Sequence, residues 1–574
     1  MSKLSQLERA FMAGAERVSA WSDLLDRINV FPVTDYDTGR NLVISLSPLL
    51  GLEAGRRSVI KNLLLFSRGN SGLIASQFLV EALGAHTEED LKGAFRKGRD
   101  SAWKSIAEPR AGTMLSVFDA LVEALDAAPA SSRNGNLAGI IGCLENAVLE
   151  TTEALPRLKQ AGVVDSGALG MFIFLEAFFR TLSDNTDFRP IAEIFGRRIS
   201  ISPSYTDDAE GGYCVSAALE KTGGVPGEEE EQELPGGSVV RLEDGNFVKL
   251  HFHTDDFESA RKKMESLGRL IEWSVDDIAL QKKAGPGRDT SGLVRVMTDA
   301  AGSLTRELAT GLGITLLNSY ITLGARSLPE TYMDAAVLYN AMREGSRATT
   351  SQASAFERRE AYRSAVELYG KVLYLCVGSV YTGNYGTALK WKNENERAGS
   401  FAVIDTGAAS GRLAVLALAC SRYAAGCPSL EELEIYARRA MGEGGELIFI
   451  DRLQYLAAGG RLSKAGAFFG DMIKMRPVVS PTPEGAKRVG AVRSVKEQLP
   501  VAIGKIREQG GNGGGLLILL EHTDNRSWIE EKVRPEVERE FPRAEVLVQP
   551  MSLTTGVHVG PGTWGIAYQK LETE

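Results

Sequence analysis

The apolar pattern changes period on either side of Lys283-Ala284-Gly285-Pro286-Gly287-Arg288-Asp289-Thr290-Ser291-Gly292, a stretch of linker composition, and this change most constrains the fold. Before it, Leu4, Leu7, Phe11 and Val18 recur at helical spacing, as do Met114, Val117, Phe118, Leu121 and Leu125. Residues 168–182 are apolar enough for a buried helix. After it, short apolar runs at 294–299, 314–320, 372–377, 401–404, 447–450 and 516–520 alternate with helical segments, which predicts α/β layers with at least one parallel sheet. Residues 200–285 form a smaller alternating unit: a strand at 213–219, a hairpin of 239–242 and 247–253 around Glu243-Asp244-Gly245-Asn246, and a helix at 257–267. Glu228 to Glu231 read as a solvated connection. The expected chain is multidomain: an all-α region over 1–199, a small α/β domain over 200–284, a linker at 285–292 and an α/β region over 293–574.

A length of 574 residues suits three or four domains. The net charge of −9 argues against a nucleic-acid binder, which needs a basic surface. Cys143, Cys214, Cys376, Cys420 and Cys427 are scattered and odd in number, so a reducing cytosol is expected rather than a disulfide framework. The first residues lack the apolar core of a signal peptide, and no run of about 20 apolar residues could span a membrane.

Chemistry concentrates at Asn29-Val30-Phe31-Pro32-Val33-Thr34-Asp35-Tyr36-Asp37-Thr38-Gly39-Arg40-Asn41. Pro32 blocks helix continuation and Gly39 permits a tight turn. On an extended backbone Asp35 and Asp37 would point the same way, a plausible Mg²⁺ site when substrate phosphates complete the shell. The plain alternative is an Asx-rich turn between helices. Arg68-Gly69-Asn70-Ser71-Gly72 precedes an apolar helix, where backbone N–H groups attract phosphate oxygens, although a helix cap uses the same residues. Asp165-Ser166-Gly167 has the same two readings. His251 and His253 share one strand face, with Cys214 on a neighbouring strand; the set is either a Zn²⁺ site with one open position or two half-exposed histidines beside a buried thiol.

The Asp loop resembles the Asn-Val-Phe-Pro-Val-Pro-Asp-Gly-Asp-Thr-Gly-Thr-Asn signature of the nucleotide-binding domain of fatty acid kinases, a relative of the ATP-binding subunit of dihydroxyacetone kinases. Arg68–Gly72, Gly112-Thr113-Met114-Leu115 and Ala161-Gly162-Val163-Val164-Asp165-Ser166-Gly167 are similar to later motifs in the same order. The resemblance implies a barrel of antiparallel helices with ATP and Mg²⁺ in the loops at one end. It assigns Asp35 and Asp37 to the metal, and Thr38, Gly39, Asn41, Asn70, Ser71, Gly72, Gly112, Thr113 and Asp165 to the nucleotide. Three positions depart from the pattern: Tyr36 replaces the usual glycine, Arg40 the usual threonine and Ala111 the usual glutamate. Gly212-Tyr213-Cys214 and His251-Phe252-His253-Thr254-Asp255 resemble the middle domain of the same kinases, which implies zinc on Cys214, His251 and His253.

The second half resembles the DegV family, the fatty-acid-binding partners of these kinases. The matches are Thr350-Ser351-Gln352, Gly378-Ser379, Thr382-Gly383-Asn384-Tyr385, Ile404-Asp405-Thr406, the segment from Tyr455 to Ser463, Pro477, Val492-Arg493 and the segment from Gly556 to Gly562. Ala353 stands where proline is usual, and Gly378 where a first serine is common. The resemblance implies that Thr350, Ser351, Ser379, Arg461 and His558 hold a fatty acid carboxylate, residue types able to donate to it. The hydroxyls could instead cap turns, Arg461 pair with a surface acid, and His558 sit buried on backbone acceptors.

Together the two resemblances imply a fatty acid kinase fused to its lipid carrier, making acyl phosphate from ATP, with Asp35, Asp37 and Arg461 in catalytic roles. A homodimer, a downstream acyltransferase of phospholipid synthesis, transient membrane contact and no nucleic acid are the implied associations. Two alternatives remain: a lipid carrier whose kinase half has decayed, and a small-polyol kinase with a regulatory lipid-binding half.

Overall fold

The computed structural model describes residues 4–127, 137–207, 212–221, 237–283, 294–395, 399–426, 429–458, 475–510 and 515–571. They fall into two compact units, Met1–Pro286 and Gly287–Glu574.

The first unit opens with a series of helices: α1 (Gln6–Arg27), α2 (Thr38–Leu46), α3 (Arg56–Phe66), α4 (Gly69–Ala82), α5 (Leu91–Lys104), α6 (Met114–Ala127), α7 (Leu137–Ala154), α8 (Pro156–Ala161) and α9 (Ser166–Leu182). Helices α1, α2, α4, α5, α6, α7 and α9 close a ring, each packed on the next and α9 returning to α1. The sequence of α9 is apolar on every side, and every residue from Ser166 to Arg180 is buried. Its one acid, Glu176, takes Arg17 at 2.5 Å and Arg180 at 2.8 Å, which compensates charges that burial would otherwise leave costly.

The small domain follows in the same unit as a sheet of order β2-β3-β1-β4: β1 (Tyr213–Lys221), β2 (Gly237–Asp244), β3 (Phe247–Thr254) and β4 (Gly268–Asp277). The helix Phe257–Leu267 packs on it. Strand β4 is additional to the elements expected from the sequence, although Ile271, Trp273 and Val275 alternate as a strand should. Backbone bonds join this sheet to the turn after α5: Ala107 donates to the Val239 carbonyl at 3.2 Å and Arg241 to that of Ser105 at 2.8 Å.

The second unit has a parallel sheet of order β11-β10-β5-β6: β5 (Arg295–Asp299), β6 (Ile314–Leu317), β10 (Val372–Cys376) and β11 (Phe401–Asp405). Antiparallel β7 (Ser319–Leu323), β8 (Arg326–Pro329) and β9 (Ala348–Gln352) make a second sheet. The third, of order β14-β13-β12-β17-β15-β16, contains β12 (Gly444–Phe449), β13 (Arg476–Thr482), β14 (Gly485–Val492), β15 (Leu516–His522), β16 (Glu545–Pro550) and β17 (Trp564–Lys570). The helix Ser410–Ala424 fills the layer between the parallel and six-stranded sheets, with apolar residues of both in its core. The run at 314–320 is therefore two strands in different sheets. They part at Asn318, whose amide donates to the buried Glu357 at 3.2 Å and whose oxygen accepts from Arg306 at 3.1 Å.

Candidate active site

Four helix N-termini meet at one end of the ring. Gly69 at the start of α4 lies so close to Asn41 of α2 that a Cβ there would fall 2.1 Å from its Nδ2, and its φ of +64° suits glycine. Gly167 at the start of α9 faces Met114 of α6, with Ser71 of α4 within 3.6 Å of the position its Cβ would take. Ser166 Oγ bonds Thr38 Oγ1 at 3.1 Å, and Asn29 Oδ1 at 3.4 Å. Gly39 sits so tightly on α1 that its missing Cβ would lie 2.0 Å from the Ser22 carbonyl oxygen. Each N-terminus carries the partial positive charge of its helix dipole.

Asp35 and Asp37 face this end, both buried. They do not converge on an extended backbone, as their spacing alone predicts. Tyr36 lies in the left-handed region at φ 54°, and Asp37 at φ −128°, ψ 1° ends the kink. Burial, then the neighbouring Asp37 charge, pushes the Asp35 carboxyl well above the usual carboxylate range. Burial also raises Asp37, while Arg40, the Asn41 amide and Arg68 oppose that rise. The Asn29 amide donates to Asp35 Oδ1. Asn41 Oδ1, Asn70 Oδ1 and Thr34 Oγ1 are buried without a hydrogen-bond partner, an arrangement native proteins keep where a ligand or water completes it.

The remaining expected nucleotide residues line up by helix. Gly112 (φ +83°) donates its N–H to Ser116 Oγ at 2.9 Å, and Thr113 Oγ1 donates to the Arg110 carbonyl at 3.0 Å, just before α6. Asp165 caps α9, accepting from Ala168 N at 2.7 Å, and burial lifts its carboxyl to about 7 against the backbone N–H groups of Ala168 and Gly167. Ser71 and Gly72 belong to the first turn of α4, so the expected glycine loop is the helix start itself.

The small sheet reaches the same place. Cys214 on β1 pairs in register with His253 on β3 and Asp276 on β4. The ligand atoms of Cys214, His251 and His253 lie within 4.8 Å of one another. Ser216 Oγ engages His251 Nδ1 at 2.9 Å, leaving Nε2 for a metal. Burial, with His253 and two cations nearby, drives His251 well below its ordinary pKa; burial brings His253 to about 4, so both rings are neutral, the form that binds metal. Asp276 pairs with Arg68 at 2.5 Å. Asn29, Ser166, Ser216 and Asp276 are neighbours of the site that residue type does not single out; Asn29 and Ser166 carry a signal through their places in the Asp-loop and Asp165-Ser166-Gly167 motifs, and Ser216 and Asp276 carry none.

In the second unit, Thr350 Oγ1 on β9 and His558 Nε2 on the helix Leu553–Val559 stand 3.2 Å apart. Ser351 follows on β9, exposed. Ser379 occupies the turn after β10, also exposed, its N–H donating to Asp405 at 2.9 Å. Arg461 lies outside the described residues, as do Glu228 to Glu231 and Cys427.

Models of three families match the chain along this layout. A DAK2 domain matches residues 49–180, the FakA-like middle domain of fatty acid kinase residues 210–284, and the DegV family of uncharacterised proteins residues 293–571. The chain thus joins two kinase-type domains to a DegV domain on one polypeptide. An uncharacterised protein of Staphylococcus saprophyticus is 27% identical over 350 residues, 54% of this chain and 62% of that protein. One of Staphylococcus aureus is 28% identical over 308 residues, 47% of this chain and 54% of that protein. The chain spans less than two thirds of the length of these curated relatives. Among solved structures, a DegV family protein of Thermus thermophilus described as fatty-acid-binding is 23% identical (TM-score 0.45), covering 49% of this chain and 100% of its own. DegV of Bacillus subtilis, described as a fatty acid binding protein, is 20% identical at the same TM-score and coverages of 49% and 100%. Among the described residues, no helix is long and apolar enough to cross a membrane.

Proposed function

We propose that this chain is a fatty acid kinase with its lipid-binding module attached: it transfers the γ-phosphoryl group of ATP to a fatty acid carboxylate, forming acyl phosphate and ADP. The observation that carries this reading is the meeting of four helix N-termini with two buried carboxylates and unpaired Asn oxygens. N-termini of α2, α4, α6 and α9 suit a polyphosphate. Asp35, Asp37 and the Asn41 and Asn70 oxygens suit a hard cation, and Mg²⁺ held there would neutralise charge on the phosphate oxygens.

The residues position and polarise rather than exchange protons. The acceptor carboxylate is ionised near neutral pH and needs no general base. One of its oxygens forms the new P–O bond as the bond to the β-phosphate oxygen breaks, the electron pair leaving with ADP. Arg40 and Arg68, which act on Asp37, add positive charge at the phosphate end. Cys214, His251 and His253 would hold Zn²⁺ and fix the small sheet against the Asp loop. Thr350, Ser351, Ser379, Arg461 and His558 would hold the fatty acid carboxylate. Carrying both modules on one chain raises their effective concentration, within one chain or across a homodimer.

The test has two arms. Mass spectrometry of lipid extracted from the denatured protein should find a fatty acid. ATP with that fatty acid should then give a hydroxylamine-trappable acyl phosphate, abolished in Asp37→Ala with lipid binding intact. Bound lipid without acyl phosphate in the unmodified protein would favour the carrier reading, for which the strained Tyr36 in the Asp loop is the relevant observation. Turnover of dihydroxyacetone without lipid would favour the small-polyol kinase.

A further inference from the structure

One buried guanidinium in the second unit holds two segments that carry carboxylate-site residues. Arg358, on the helix Ala355–Tyr369, donates from Nη1 to Gln352 Oε1 at 3.0 Å and to Asn384 Oδ1 at 2.9 Å. Gln352 ends β9, the strand of Thr350, and Asn384 follows the turn of Ser379. Asn384 is fixed from its other side, where Nδ2 donates to Asp299 Oδ1 at 2.5 Å. Asp299 Oδ2 in turn accepts from Val377 N at 2.6 Å, at the head of the same turn. Arg358, Asn384 and Asp299 are all buried, which strengthens these bonds.

An arginine only donates, so the Gln352 amide has one orientation: its oxygen faces Arg358 and the N–H groups of Nε2 turn away. Gln352 is exposed, and its Nε2 meets no acceptor among the described residues. Gly383, in the turn of Ser379, lies beside this amide, and a Cβ there would be 4.0 Å from Nε2. Strand side chains alternate, which puts Gln352 on the same face of β9 as Thr350. The helix Leu553–Val559 lies on that face. Its His558 Nε2 stands 3.2 Å from Thr350 Oγ1, and its Thr554 Oγ1 donates at 3.2 Å to Ser319 Oγ, on the register partner of Gln352.

We infer that Gln352 is a further donor to the fatty acid carboxylate, its Nε2 presented between Thr350 and the Ser379 turn. Arg358 acts through it as a positioning residue. This rests on the fatty-acid reading proposed above. A neutral amide orients a carboxylate without neutralising the charge that the attacking oxygen needs.

The experiment compares two ligands of one tail. The full chain, stripped of lipid, is titrated with palmitate and with hexadecanol, which carries no charge, and each variant's melting temperature is recorded. Gln352→Ala should weaken palmitate by ~10-fold or more, the loss expected for a hydrogen bond to a charged group, and leave hexadecanol nearly unchanged. Gln352→Glu keeps an acceptor for Arg358 and adds an ion pair, so it should melt no lower than the unmodified chain. It places an anion against the carboxylate, however, and should weaken palmitate more than Gln352→Ala does. Unchanged palmitate affinity in Gln352→Glu would mean that Gln352 only ties β9 to Arg358, and overturns the donor role. Equal loss of both ligands in the Gln352 variants overturns it in favour of general damage. Arg358→Lys keeps the charge but not the planar fork, and should weaken palmitate more than hexadecanol. Equal weakening of the two by Arg358→Lys overturns the positioning role. An unmodified chain that binds hexadecanol as tightly as palmitate overturns the carboxylate site and this inference together.

Discussion

Tyr36 offers a test of the loop geometry that needs no ligand. Its φ of 54° lies in a region that costs a residue with a Cβ about 1–2 kcal/mol and costs glycine nothing. Replacing Tyr36 by alanine and, separately, by glycine removes the half-buried ring in both cases, so ring packing cancels in the comparison. What remains is the backbone. Glycine recovers the ~1–2 kcal/mol of left-handed strain but gives back ~0.5–1 kcal/mol of extra freedom in the unfolded chain. The balance leaves Tyr36→Gly more stable than Tyr36→Ala by about 0.5–1 kcal/mol, or roughly 1–4 °C in the melting temperature of a unit this size. At an ordinary negative-φ site the order is reversed, with alanine ahead by ~0.5–1 kcal/mol. The sign therefore decides the matter. Differential scanning calorimetry of the two variants, resolved for the first unit's transition, reads it directly. Alanine more stable than glycine would refute the left-handed loop, and with it the account of how Asp35 and Asp37 come to face one end of the ring.

Two further substitutions probe other contacts. Gly39→Ala puts a methyl group 2.0 Å from the Ser22 carbonyl oxygen, a backbone atom with little room to move, and should lower stability by ~1–3 kcal/mol while weakening ATP binding, both measurable by calorimetry. Glu446 on β12 and Glu521 on β15 flank β17, opposite Ala567 and Gly565 on one face, both fully buried. Burial first, then the Glu521 carboxylate, holds Glu446 well above the usual carboxylate range, and burial raises Glu521 as well. An acid raised on folding binds more protons in the native state, so stability falls as pH climbs from the unfolded value of ~4.3 through the folded one. Glu446→Gln keeps an acceptor for the Arg412 N–H and removes that penalty. Denaturation midpoints at pH 5 and pH 8 should show the variant gaining on the unmodified chain at pH 8; a loss at pH 8 would contradict the raised, buried carboxyl pair.

The sequence disclosed elements where one physical requirement dominates. Helix α9 was legible because nothing but a buried helix can use an apolar surface on all sides. The 314–320 run misled because apolar composition carries no mark of the turn at Asn318, which is set by Glu357 and Arg306 from other elements. At the site, Asp35, Asp37, Cys214, His251 and His253 stood out by residue type and spacing. The meeting of Cys214, His251 and His253 followed from their strands, and the two aspartates were expected on one side, but the backbone that presents them was not legible: Tyr36 is left-handed where an extended chain was expected. Ser166 and Asp276 lie far along the chain from their partners Thr38 and Arg68, and residue type alone holds no record of such distant pairings.

The place of β17 has a consequence for how the second unit is made. It is the last strand in order of synthesis among those described, yet it lies between β12 and β15, antiparallel to both. Until it emerges, β12 and β15 each offer a ribosome-bound chain an unsatisfied edge, and Glu446 and Glu521 are not yet brought to the same face. The six-stranded sheet can close only after translation has passed Lys570, so this sheet must be completed late, its two halves waiting on the strand that joins them.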